Sequence, residues 1–134
     1  MAALADLNWL AILVATFTGF AIGGVWYGPL FGNAWVAALG KKPEDIQPSP
    51  TPFIVSFITA LITAIVLAMM IQALGINSAY GGLQLGIAVG AGFIATAMAS
   101  DSAFCGWGVK LFLIQAGYRV TYSIVMGIIL AVWQ

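Results

Sequence analysis

Four apolar stretches, each about as long as a bilayer's hydrocarbon is thick, take up most of this chain and leave few folds open to it. A helix that crosses the hydrocarbon needs ~20 apolar residues at ~1.5 Å rise each. The runs Leu7 to Tyr27, Pro52 to Leu74, Leu83 to Phe104 and Leu111 to Trp133 meet that length. Within lipid each backbone N–H and C=O must find its partner inside its own segment, so runs of this kind become helices. The charge count agrees. Of 134 residues, 63% are hydrophobic, only four are basic and four acidic, and none is histidine, which is too little charge to hold a soluble domain in water. The expectation is an all-α polytopic membrane protein, a single domain over residues 1–134 with four transmembrane helices in a tight bundle.

Each run is bounded by residues that start or stop helices. Gly28 and Pro29 follow the first, Thr51 as N-cap with Pro52 behind it opens the second, Gly75 closes it, and Gly106 to Gly108 separate the third from the fourth. The first run lacks a basic leading segment, carries Asp6 ahead of it and is longer than a signal peptide's apolar core, so it is expected to remain as an anchor. Lysine and arginine in short loops set orientation. Lys41 and Lys42 follow the first span and Lys110 follows the third, while the termini and the 75–82 loop hold none, which places the basic loops in the cytoplasm and both termini outside a bacterial-type inner membrane. The five tryptophans fit this register, with Trp9 and Trp133 at one interface and Trp26, Trp35 and Trp107 at the other. The loop from Gly40 to Pro50, with three prolines and Lys41, Lys42, Glu44 and Asp45, is a solvated connector. Phe31, Trp35 and Leu39 recur at helical spacing before it, which suits either a short helix lying in the headgroup layer or a first helix continuing past a kink at Pro29.

In lipid, helices associate through close backbone approach and interhelical polar contacts rather than through hydrophobic drive. All four spans carry small residues at the required spacing. Ala15, Gly19 and Gly23 line the first, Ser56, Ala60, Ala64 and Ala68 the second, Gly82, Gly86 and Gly90 the third, and Ser123, Gly127 and Ala131 the fourth. The third has a second small face in Ala88, Gly92, Thr96 and Ser100, which predicts a central position for it. Laying Gly19 on Gly86, a shift of 67 residues, also lays Ser56 on Ser123 and Ala60 on Gly127, and two hairpins forming a parallel repeat would explain the match.

Arg119 lies well inside the fourth span, where an unpaired charge costs several kcal/mol and marks function by default. Asp101 stands toward the same end of the third span. The candidate polar network is therefore Arg119, Asp101 and Gln115, flanked by Tyr118 and Tyr122. It serves as glue between the third and fourth helices, or as a site for a solute or lipid headgroup; without Asp101, Arg119 would turn to backbone near Trp26 and Tyr27 or to a lipid phosphate. Cys105 is the only cysteine. With no histidine beside it, His-ligated or multi-Cys metal and haem sites are excluded and no catalytic, cofactor or metal residue is expected. The glycines of the third span lack the strand–turn context of a phosphate loop, and basic character for nucleic acid is missing.

The run Asn8-Trp9-Leu10-Ala11, the block Trp26-Tyr27-Gly28-Pro29-Leu30-Phe31-Gly32 and the block Ala116-Gly117-Tyr118 together resemble a family of small bacterial and fungal membrane proteins catalogued as domain of unknown function 1761. The resemblance implies a four-helix integral membrane protein and brings no activity with it. The position after Ala-Gly-Tyr, commonly histidine in that family, is Arg119 here. Arginine stays charged near neutral pH, so a proton relay is not expected. The reading that follows is a non-enzymatic structural or accessory subunit, embedded in lipid and assembling with itself or with a larger membrane complex. The rival is a small-solute transporter built around Arg119, Asp101 and Gln115. A lipid enzyme using Asp101 and Cys105 ranks third.

Overall fold

The structure, a computed structural model, describes residues 4–134, and every regular element among them is helical. Helix α1 spans Trp9–Val25 and runs on as a wide π-helical turn over Trp26–Leu30. A short helix α2 covers Gly32–Ala38, α3 covers Thr51–Leu74, and α4 covers Ala79–Ile87. A second wide stretch, Ala88–Ala95, joins α4 to α5 (Thr96–Cys105), and α6 covers Val109–Val132. Among the described residues four continuous helices are long and apolar enough to cross a bilayer: Trp9–Leu30, Thr51–Leu74, Ala79–Cys105 and Val109–Val132.

Local chemistry sets the ends. The Asn8 side chain accepts the Ala11 N–H at 3.1 Å, and Ser78 Oγ accepts the Gly81 N–H at 3.1 Å. Gly75 and Gly106 close α3 and α5 at φ 67° and 69°, the left-handed conformation that a Cβ disfavours. Thr51 is not a cap, contrary to the sequence expectation. It is already helical behind Pro50, and Ser49 Oγ takes its N–H at 3.3 Å. The first span bends where Gly28 leaves helical geometry (φ −103°, ψ −105°) ahead of Pro29, which has no N–H to give. The chain then re-forms as α2, so the short second helix is separate from the first.

Asn8 Nδ2 donates to Trp133 O at 3.5 Å, and Gln72 Nε2 to Asp6 O at 3.3 Å. Asp6 and Asn8, Trp133 and the turn after α3 therefore gather at one end of the bundle, the terminal end, leaving Lys41, Lys42 and Lys110 to the other, the loop end.

The centre belongs to the fourth span, not the third. α6 packs on α1, α3 and α4 at once, whereas α3 and α4 barely touch. In the most apolar window of each, 44% of the fourth span is buried against 22% of the third. Spans one, two and four make a triangle around Ile12, Leu67, Ile71 and Met126, all fully buried. Span three lies against the outside of α6 through one ridge only. A Cβ on Gly86 would stand 2.5 Å from Ile124 Cα, and one on Gly90 2.9 Å from Val120 Cα. The wide turns over Ala88–Ala95 then break the i+4 register, and no residue of α5 is buried. The second small face is thereby turned outward: Ala88, Gly92, Thr96 and Ser100 are all exposed. A parallel repeat requires the contact of spans two and three to match that of spans one and four. The first is slight and the second extensive, so the packing is not two-fold.

Candidate functional site

The site forms where the kink of the first span meets the middle of α6. Trp26 Nε1 donates to Ile114 O at 2.8 Å, a bond that ties the end of α1 to a turn of α6. Tyr118 Oη donates to Gly19 O at 3.1 Å across the same interface. Glycine leaves that tyrosine its place, because a Cβ on Gly23 would lie 2.8 Å from Tyr118 Oη and the ring would have to shift. Gly117 likewise leaves room for the Trp26 ring, 3.0 Å from where its Cβ would be. The rings then meet in series. Tyr27 lies 5.4 Å from Tyr118 and 5.3 Å from Trp35, and Tyr118 lies 4.9 Å from Tyr122, all edge-to-face.

Arg119 sits against this stack. Its Cζ is 5.4 Å from the Tyr118 ring centre and 5.6 Å from that of Tyr122, and Nη1 donates to Tyr122 Oη at 3.2 Å. Its own carbonyl accepts Ser123 Oγ at 2.8 Å. Of the expected network the structure thus joins Arg119, Tyr118 and Tyr122 and leaves Asp101 apart. Asp101 is exposed on α5, and among the described residues no carboxylate oxygen lies within 4.0 Å of a lysine or arginine nitrogen. The two residues also differ in depth. Counted from Trp107 in the turn, Asp101 is six residues back and Arg119 twelve forward, an offset of ~9 Å along antiparallel helices at ~1.5 Å per residue. Gln115, half-buried one turn nearer the loop end, makes no side-chain hydrogen bond among the described residues.

The packing residues resolve into two interfaces. Gly19 and Gly23 face Met126, Tyr122 and Tyr118, while Gly82, Gly86 and Gly90 face Gly127, Ser123 and Val120. Sequence reasoning placed Tyr118 and Tyr122 beside Arg119 but did not foresee that Tyr27 and Trp35 extend the stack. The signal was present in the Trp-Tyr-x-Pro-Leu block, since the kink at Gly28 and Pro29 turns the two aromatics before it toward α6.

Fold and site define a small polytopic helical membrane protein whose two most distinctive sequence blocks, ninety residues apart, close on each other around one arginine. The chain belongs to the family described as "Protein of unknown function (DUF1761)", which it matches over residues 10–131. No curated protein and no solved structure matches it.

Proposed function

We propose that this is a non-enzymatic protein of a bacterial-type inner membrane, with both termini outside, that pairs with a second copy of itself as a structural or accessory subunit. The observation that supports this most is the uncovered face of the third span. Small residues at Ala88, Gly92, Thr96 and Ser100 offer close backbone approach, yet nothing lies within 4 Å of where a Gly92 Cβ would be. The same helix already makes such an approach on its other side, through Gly82 and Gly86. The occupant is a second copy because the exposed end of this span carries its own complement: Asp101 on one side of the turn and Lys110 on the other, both exposed. Their levels differ by three residues, ~4.5 Å at ~1.5 Å each, so Asp101 of one copy reaches Lys110 of the other about an axis along the membrane normal. A transporter built on Arg119, Asp101 and Gln115 has less support, since Asp101 stands apart from the other two.

The test is native mass measurement in mild detergent. Wild type should be dimeric and Gly92→Leu monomeric with unchanged helicity, because the leucine enters open space within one copy. A wild-type monomer at all concentrations, or an undisturbed Gly92→Leu dimer, would sink the pairing. A stoichiometric second protein in its place would replace it with membership of a larger complex.

A further inference from the structure

We propose that Arg119 and Gln115 form a binding site for the phosphate of an anionic phospholipid in the leaflet on the loop side. The Arg119 guanidinium is short of partners. It has five N–H donors, and its one hydrogen bond among the described residues goes to Tyr122 Oη. Stacking on the Tyr118 and Tyr122 rings offsets only part of what it costs to hold an arginine in hydrocarbon, so the tyrosines orient the charge without neutralising it. Among the described residues no carboxylate supplies the rest. The free donors are not sealed in either. Among the described residues the only buried side-chain nitrogen or oxygen without a partner is Trp35 Nε1, so the remaining groups of half-buried Arg119 and Gln115 are reachable from outside the protein.

The route in is set by the helices. Arg119 follows Tyr118 by one residue, ~100° round α6, which points it between the face on α1 and the face of Val120 and Ser123 on span three. At the loop end that sector is uncovered. α3 is exposed from Thr51 to Val55 and first fully buried at Ala60, and it barely meets α4. Gln115 stands one turn above Arg119 on the same face and toward the loop end, the direction in which helical side chains lean. Its amide N–H₂ and the guanidinium fork offer donors one above the other to a tetrahedral anion that descends from the headgroup layer, and the fork suits two phosphate oxygens at once. A phosphodiester with acyl chains fits this place better than free phosphate, because the opening faces hydrocarbon.

The experiment uses the full chain in nanodiscs and in detergent, with phosphatidylglycerol and phosphatidylcholine as probes and inorganic phosphate as a third arm. Wild type should retain phosphatidylglycerol in native mass spectra and unfold at higher temperature with it than with phosphatidylcholine. Arg119→Gln, which keeps a donor for Tyr122, should weaken that retention about tenfold or more. Gln115→Leu, which leaves the arginine–tyrosine stack intact, should weaken it by a smaller factor. Equal retention by wild type and Arg119→Gln would overturn the site. So would equal stabilisation by inorganic phosphate alone, which would assign it to a soluble anion. Should Arg119→Gln fail to fold, unchanged retention in Gln115→Leu would overturn it equally. The dimer test at Gly92 does not touch this face, so either proposal can fall without the other.

Discussion

Adding one methyl group at Gly86 and one at Gly92 should have opposite effects, although the two glycines share a helix and lie six residues apart. Alanine gains ~1 kcal/mol over glycine in a helix interior, and that gain is common to both positions. What differs is space. At Gly86 the new Cβ would stand 2.5 Å from Ile124 Cα and 2.6 Å from Ser123 O, where ordinary contact begins at 3.4 Å. Both neighbours are backbone, so no rotamer change relieves the clash and the helices must part by ~1 Å. A gap of that size forfeits a quarter to a half of each dispersion contact along the ridge, and overpacking of this kind costs ~1–3 kcal/mol. At Gly92 there is no neighbour within 4 Å, and alanine keeps the outward face small. Because the helix gain cancels in the comparison, Gly86→Ala should be less stable than Gly92→Ala by ~1–3 kcal/mol. Thermal unfolding in mild detergent, followed by tryptophan fluorescence, reads the difference. Equal midpoints, or a higher one for Gly86→Ala, would refute the backbone contact between α4 and α6.

Tyr118→Phe should destabilise by ~0.5–1.5 kcal/mol through loss of the bond to Gly19 O, and denaturant titration in detergent checks it. Arg119→Leu and Asp101→Asn should act additively in a double-mutant cycle, while Arg119→Leu with Tyr122→Phe should not, since only the second pair is in contact; coupling of ~0.5 kcal/mol or more between Arg119 and Asp101 would contradict the geometry. With Cys105→Ser as background, an external maleimide should label Ser78→Cys and miss Gln47→Cys, and the reverse pattern would invert the proposed orientation.

Much of this fold was legible because hydropathy and length are one-dimensional signals. The four spans, Gly75 and Gly106 as left-handed stops, and the small ridges on all four helices were readable residue by residue. Which helix would be central was not. Counting small faces favoured the third span, but the wide turns over Ala88–Ala95 rotate its second face into the open, and nothing in a run of Ala, Val and Gly announces a π-helical register. The pairing of Arg119 with Asp101 failed for a related reason. Both lie toward the same end of adjacent helices, yet Asp101 is exposed on α5 about six residues nearer the turn, and among the described residues Arg119 meets no carboxylate. The partners Arg119 does have, Tyr118 and Tyr122, are local on α6 and could be read from the spacing. Tyr27 and Trp35 joined the cluster only through the kink at Gly28.

Two modes of packing meet on α6, and they should fail separately. The triangle of spans one, two and four interdigitates long side chains such as Ile12, Leu67 and Met126, which yield a little at a time. The seam with span three rests on backbone close to backbone at Gly82, Gly86 and Gly127, and van der Waals contact of that kind is lost steeply once the helices part. In Gly86→Ala the damage should therefore be confined to this seam. Ser123 and Ala64 are both fully buried, the first at the seam and the second in the triangle. With Cys105→Ser as background, a cysteine at Ser123 should become reactive to a membrane-permeant maleimide when Gly86→Ala is added, while a cysteine at Ala64 stays protected. If both open together, the bundle is one cooperative unit and the third span is no appendage; if neither opens, the glycine contact does not hold the seam.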